Sequence, residues 1–215
     1  REAFALAGGN RPGPVLIDIP KDIQQHYPRD PNGNYVEPRI PAVVEVPEPV
    51  IGGMSHNQLE EACRLIGGAE RPVIYAGGGI ISSDTPELLL QLAEKLQCPV
   101  TTTLMGHGAF PPDHELFLDT LGMHGAKYAN VAVNEADVVL ALGVRFDDRV
   151  TGNVEAFIAE GKIIHVDIDR AELNKNKTAT LPVCADVALV LRQLCDSLQP
   201  RECTAWLDYL RGLKR

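Results

Sequence analysis

Residues 71–96, RPVIYAGGGIISSDTPELLLQLAEKL, constrain the fold more than any other stretch of this chain. Residues 72–76 are apolar and partly β-branched, as a buried strand requires. Gly77, Gly78 and Gly79 follow at once. Ser82, Ser83, Asp84 and Thr85 offer N-cap oxygens, Pro86 suits a first helical position and Glu87 suits a first turn. Leu88, Leu89, Leu92, Ala93 and Leu96 then recur at helical spacing. The stretch therefore predicts a strand, a glycine turn and a helix that starts several residues late. Glycines between a strand and a helix let a ligand phosphate approach bare backbone. The spacing is not GxGxxG, and the same glycines equally make a tight turn with no ligand.

The rest of the chain repeats the alternation. Residues 56–66 read as a helix with Leu59, Ala62, Cys63 and Ile66 on its apolar face, and 99–103 as a second strand. Residues 107–118 read as a loop, 127–135 as a helix and 137–142 as a third strand running into GVRFDDR. Residues 154–159 read as a short helix, 162–168 as a fourth strand and 184–198 as a closing helix. Strands that are apolar throughout and alternate with helices predict an α/β fold, a doubly wound, Rossmann-like parallel sheet of roughly five or six strands. Right-handed crossovers then bring every strand's C-terminal end to one edge. There Gly77–Gly79, Thr103, Leu104, Met105 and the runs 143–149 and 167–169 are expected to converge.

Upstream, residues 2–7 read as a helix and 14–19, PVLIDI, as a strand stopped by Pro20. Lys21 and Asp22 follow it, a position where α/β proteins place functional residues and where a solvated loop is the alternative. Six prolines between residues 26 and 49 block helix and central strand alike, so this segment reads as a linker with a domain boundary near residue 50. Both ends of the chain fall inside helical patterns, which predicts a piece of a longer protein. An apolar content of 45% supplies a core, and a net charge of −9 argues against nucleic acid as a general partner. No apolar run is long enough to span a bilayer, and no signal peptide is visible. Five scattered cysteines without a CxxC pair read as reduced thiols rather than metal ligands.

The most loaded stretch is GVRFDDRVTG, residues 143–152. Arg145 and Arg149 can each hold a phosphate or carboxylate with a bidentate fork. Asp147 and Asp148 can orient those arginines or accept from ribose hydroxyls. A solvated salt-bridge loop is the alternative, and the position after a strand favours function. Asp167 ends a strand and is placed to bind ribose, or else to cap the segment from Ala171, as Asp169 equally can. His124, between Gly122 and Gly125, can stack on a ligand ring or simply be exposed. His107 and His165 carry no assignment. No metal-ligand spacing, GxSxG elbow or Cys/His pair is present.

GGNRPGPVLIDIPKDIQ, YAGGGI, TTTLMGHGAFP, LGMHGAKYAN, GVRFDDRVTG and HVDIDRAELNKNK occur in that order. In this the chain closely resembles the acetolactate synthase (acetohydroxyacid synthase) family from residue 1 to about 198. LGMHG with GVRFDDRVTG is the most specific part of the match. The resemblance implies a thiamine-diphosphate enzyme of branched-chain amino-acid biosynthesis that condenses two 2-keto acids. It implies three domains: one binding the thiamine pyrimidine, a DHS-like FAD/NAD-binding middle domain carrying FAD, and one binding diphosphate and Mg²⁺. This chain would hold the tail of the first (1–25), a linker (26–50), the middle domain (51–198) and the start of a second linker (199–215). The activating glutamate and the GDG motif are absent, so the chain alone is expected to be inactive. By motif, Arg11 would contact FAD from the first domain, and Gly77, Gly78 and Gly79 would line its phosphate and ribose region. Thr103, Leu104, Met105, Gly122, Met123 and His124 would flank the flavin. Gly143, Arg145, Asp147, Arg149 and Val150 would surround the cofactor's middle, and Asp167, Ile168, Glu172, Asp186 and Val187 its adenosine end. Ala185 stands where the family often has glycine. Lys21 and Arg149 would face the substrate channel, with Arg149 on a keto-acid carboxylate. The resemblance further implies a homo-oligomeric catalytic subunit, dimer or tetramer, with a small regulatory subunit, in bacterial cytoplasm or in a plastid. A free-standing dinucleotide-binding module and the middle domain of another carboligase, such as glyoxylate carboligase, are the alternatives.

Overall fold

The computed structural model describes residues 2–9, 11–25, 27–36 and 51–214. The chain divides into two compact units, 1–50 and 51–215. In the first unit, α1 (Glu2–Gly8) and α2 (Lys21–Gln24) flank a segment without regular secondary structure, and no residue of either helix is buried. The strand expected at 14–19 does not form. A strand needs a partner for its N–H and C=O groups, and no described residue of this unit supplies one. Beyond α2, Asp30 closes a local turn by accepting from the Asn32 and Asn34 amides, and Arg29 bridges to Tyr35. Residues 26 and 37–50 of the expected linker lie outside the described residues.

The second unit is a six-stranded, all-parallel sheet in the order β3-β2-β1-β4-β5-β6. The strands are β1 (Pro72–Ala76), β2 (Val100–Thr102), β3 (Phe117–Thr120), β4 (Val138–Leu142), β5 (Lys162–Asp167) and β6 (Leu181–Cys184). This is the strand order of doubly wound dinucleotide folds, and the chain reverses direction across the sheet between β1 and β4. Both central strands are buried along their whole length. Ile74, Ala76, Leu140, Leu142, Ile164 and Val166 pack on one face against α3 (His56–Gly67), α5 (Pro86–Leu96) and α8 (Val187–Ser197). Val73, Tyr75, Val139, Ala141 and Ile163 pack on the other against α6 (Lys127–Glu135) and α9 (Thr204–Leu213). Each fully buried leucine, such as Leu89 and Leu92 of α5, contributes roughly 1.5–3 kcal/mol of transfer free energy.

Several local expectations need correction. A short helix, α4 (Gly78–Ser82), starts immediately after Gly77, ahead of the expected α5. Residues 154–159 are turns, while α7 (Asp148–Thr151) lies upstream. The Asn153 side chain accepts from the Glu155 and Ala156 amides, and Ile158 takes a left-handed φ of 49°, a combination that diverts the backbone from a helix. Two short edge strands also emerge. β3 lies at the end of the expected loop. β6 lies ahead of the expected closing helix and takes its first residue, Cys184, and that helix begins only after the Asp186 cap. The stretch beyond 198 holds α9, whose Trp206 is buried and donates its indole N–H to the Pro72 carbonyl at 3.1 Å.

Gly143 is constrained twice over, by its backbone conformation and by its neighbours. Its φ is +60°, and a Cβ there would stand 2.6 Å from the Gly79 Cα. Gly143→Ala is expected to lower the unfolding free energy by about 2–4 kcal/mol, combining the left-handed penalty with overpacking. Gly212→Ala, in open space within α9, is expected to raise it by roughly 0.5–1 kcal/mol. Urea denaturation of both variants, read as midpoint shifts at unchanged slope, checks the pair.

Candidate functional site at the C-terminal edge of the sheet

The C-terminal ends of the strands carry loops, several of them in direct backbone contact. Gly77, after β1, meets Gly143, after β4, so closely that a Cβ at Gly77 would stand 2.1 Å from the Gly143 carbonyl oxygen. The Gly79 N–H donates to that same carbonyl at 3.3 Å. Gly106 closes the turn 104–106 against Gly77, where its Cβ would stand 2.6 Å from the Ala76 carbonyl oxygen. The glycine run thus serves first to pack loop on loop, and at Gly78 an added Cβ would stand 3.3 Å from the Met105 side chain of the neighbouring turn. Beyond β3, Gly122 takes a φ of +110°, and the Met123 N–H donates to the Arg149 carbonyl at 2.9 Å. Asn130 of α6 holds Gly122 from both sides, accepting from its N–H and donating to its carbonyl.

The loop after β4 alternates inward and outward. Val144 and Phe146 are buried, while Arg145, Asp147 and Arg149 project. Phe146 enters the core at a left-handed φ of +48°. Its ring lies 5.9 Å from Tyr75, 6.3 Å from Phe157 and 5.0 Å from His165. Asp147 caps α7 by accepting from the Arg149 amide at 3.1 Å, and that hydrogen bond is the main reason its carboxyl titrates below the usual range. Arg145 faces Asp147 and Arg149 faces Asp148, each at 3.7 Å in the open, so both pairs are weak and both guanidinium forks can turn to a ligand.

At β5 the Asp167 carboxylate accepts from the Asp169 amide and that of Asp169 from the Ala171 amide. Glu172 is buried beside Lys175 at 3.2 Å. The Ala185 N–H donates to the Asp167 carbonyl, which brings β6's exit to this edge. Asp186 then caps α8 through the Ala188 and Leu189 amides, ahead of Val187. Leu104, Met105 and Met123 stand outward, 77%, 72% and 62% exposed. Thr103 closes its own turn onto the Gly106 amide, and His124 follows Met123 in an exposed turn. Of the remaining sequence candidates, Val150 sits under Gly122 and Ile168 follows Asp167. Arg11 and Lys21 belong to the first unit, Arg11 between its helices and Lys21 opening α2.

Three residues without a role in the sequence reading hold this edge in shape: Asn130, His165 and Asn176, whose amide donates to the Arg145 carbonyl at 3.1 Å. A signal for His165 was present, because a polar side chain inside the apolar run KIIHVDI must find a partner. A cleft of about 630 Å³ opens at the opposite end of the sheet, beside Arg71, Asp137 and Trp206. It lies away from the switch point and from the glycine turns, where open α/β sheets bind ligands, so the C-terminal edge is the candidate site. Among the described residues no cluster of His, Cys, Asp and Glu can hold a metal ion, and no helix is long and apolar enough to cross a membrane.

Residues 59–194 match the family model for the thiamine pyrophosphate enzyme central domain. The chain belongs to the thiamine pyrophosphate enzyme family, as its central domain. It is 47% identical over 225 residues to a probable acetolactate synthase large subunit of Methanocaldococcus jannaschii, covering all of this chain and 36% of that protein. It is 51% identical to a probable chloroplastic acetolactate synthase 2 of Oryza sativa subsp. japonica, over 95% of this chain and 30% of that protein. It is also 51% identical to the chloroplastic acetolactate synthase 1 of Zea mays, over 89% of this chain and 29% of that protein. The chain thus spans about a third of the length of these relatives.

Burial lowers the pKa of His165 from its ordinary 6.5. The folded state therefore holds the neutral imidazole, and on acidification the unfolded chain takes the proton first. This contribution to stability is complete above the unfolded value and is lost as pH falls below it. Urea midpoints are expected to drop as the pH falls below about 6.5. In His165→Gln the same titration is expected to show a shallower fall.

Proposed function

We propose that this chain is the cofactor-holding central domain of an acetolactate synthase, with FAD lying along the C-terminal edge of the sheet. One observation carries the reading. At the switch point of a domain that is about half identical to acetolactate synthases, three exposed apolar side chains and two exposed arginine forks project from the loops of one sheet edge. That set fits a flavin. Leu104, Met105 and Met123 offer an apolar wall that excludes water from a ring face, with His124 beside them. Arg145 offers a fork to the diphosphate, with Gly77, Gly78, Gly79, Gly143, Asp147 and Val150 fixing its approach. Asp167, Ile168, Glu172, Asp186 and Val187 lie toward the adenosine end. The preference for FAD over a nicotinamide cofactor rests on the family resemblance.

In the whole enzyme, thiamine diphosphate with Mg²⁺ supplies the electron sink for decarboxylating one 2-keto acid and joining the remainder to a second. This chain's own residues position. FAD is a structural wall rather than a redox centre, Lys21 lies at the substrate channel, and Arg149 holds the second keto acid's carboxylate. The enzyme is a homo-oligomer of catalytic subunits with a small regulatory subunit. Residues 1–25 are the end of the thiamine-pyrimidine domain, and the long proline-rich segment links it to the domain from residue 51.

In the full-length protein, Arg145→Ala is expected to weaken FAD binding by about 1.5–3 kcal/mol, the range of a charged hydrogen bond. Titration of the apoprotein by flavin fluorescence measures it, and unchanged affinity removes Arg145 from the site. Arg149→Ala is expected to impair acetolactate formation more than release of CO₂ from a single pyruvate, because only the second step needs the acceptor's carboxylate held. Equal loss of both steps in paired assays removes that role.

A further inference from the structure

The geometry points to His165 as the positioning residue of the candidate site, a buried clamp that sets the conformation of the loop carrying Arg145 and Arg149. His165 lies on β5 in register with Ala141 of β4 and is fully buried. Its side chain reaches past the end of β4, and Nε2 lies 2.8 Å from the Val144 carbonyl oxygen. A carbonyl only accepts, so Nε2 carries the hydrogen and donates, and because burial disfavours the imidazolium the ring is the neutral Nε2–H tautomer. The same ring packs edge-on against Phe146, at 5.0 Å and 81°. One side chain from the neighbouring strand therefore holds two successive inward points of the loop, a backbone oxygen and an aromatic ring. Because Val144 and Phe146 are held inward, Arg145 and Asp147 between and after them are held outward.

The contact is dedicated to that task. Nδ1 is buried and makes no hydrogen bond among the described residues. Phe146 sits at a left-handed φ that a non-glycine residue adopts only when its surroundings impose it. Asn176 adds a second tie to the Arg145 carbonyl from the segment after β5. An apolar residue would fill the volume of His165 and leave the Val144 carbonyl buried without that donor. The loop would then relax toward water, and the two forks would lose their shared geometry.

The inference that this matters for ligand binding rests on the reading that the edge holds FAD, and the experiment separates the two. His165→Phe keeps a ring and removes the donor. His165→Gln keeps an N–H of similar reach. His165→Met fills the space with neither, and serves if the phenylalanine variant does not fold. In the full-length protein, hydrogen exchange is read at the Met123, Val150, Thr151 and Gly152 amides, whose partners all lie in or beside this loop. The Ile74 amide, which donates to the Pro99 carbonyl, serves as the reference. The donor-less variants are expected to exchange roughly tenfold faster at the loop amides with the reference unchanged, while glutamine restores protection. FAD affinity, titrated in parallel, is expected to fall in the same order. Equal loop exchange in all variants, or glutamine no better than phenylalanine, overturns the clamp. Unchanged FAD affinity in the donor-less variants while Arg145→Ala weakens it overturns the positioning role and leaves the cofactor reading standing. A wild-type protein that binds no FAD overturns the cofactor reading, and the exchange data then decide the clamp alone.

Discussion

The close approach of Gly77 and Gly79 to Gly143 is the contact on which the rest of this edge depends. β1 and β4 are the central pair of the sheet, and their chains leave it for different neighbours. Their exit turns must cross just beyond the strand ends, at a separation that admits no side chain on either partner. The Gly79 N–H donating to the Gly143 carbonyl joins the two turns, and Gly106 brings the exit of β2 into the same contact. Substituting any member displaces backbone rather than a flexible side chain, so the position of three loops follows from one steric constraint.

The chemistry left on the surface is a consequence of what is held inside. The alternation of Val144 and Phe146 inward with Arg145 and Asp147 outward turns a hydrophobic anchor into a display of charge. The acidic residues of the edge are largely engaged locally. Asp147, Asp167, Asp169 and Asp186 each accept from backbone amides and shape the turns that follow the strands. Among the described residues, Arg145 and Arg149 make long, exposed pairs. A chain of net charge −9 therefore presents positive forks at its switch point, which suits a ligand carrying phosphate or carboxylate.

Much of this is legible from local pattern. α5 begins at Pro86 and α6 spans Lys127–Glu135, where the spacing of apolar residues places them, and the two central strands stand out as uninterrupted apolar runs. The elements that local pattern missed are those whose stability is borrowed from neighbours. β3 and β6 are four-residue edge strands, one containing Asp119 at a left-handed φ of 65° and the other Pro182, and each exists because an inner strand supplies its hydrogen bonds. α4 begins within a glycine run of poor helix propensity and is held by its packing on the turn 104–106. The strand expected at 14–19 fails for the converse reason, since its own unit offers it no partner among the described residues.

By itself, the amino-acid order determined the parallel α/β class, the central strands, the principal helices and the set of loops that meet at one edge. All of these follow from uninterrupted apolar runs alternating with a 3.6-residue periodicity and from the handedness of crossovers. Only the tertiary structure decided what those loops do to each other. It made the glycine run a packing surface against Gly143, drew Phe146 into the core between Tyr75 and His165, and set Asp147 and Asp186 to capping helices. The first two outcomes depend on contacts between residues far apart in the sequence, which no local pattern encodes, whereas the two caps are local contacts. A buried polar group such as His165 acquires its meaning only from the partner that the fold places within hydrogen-bond reach.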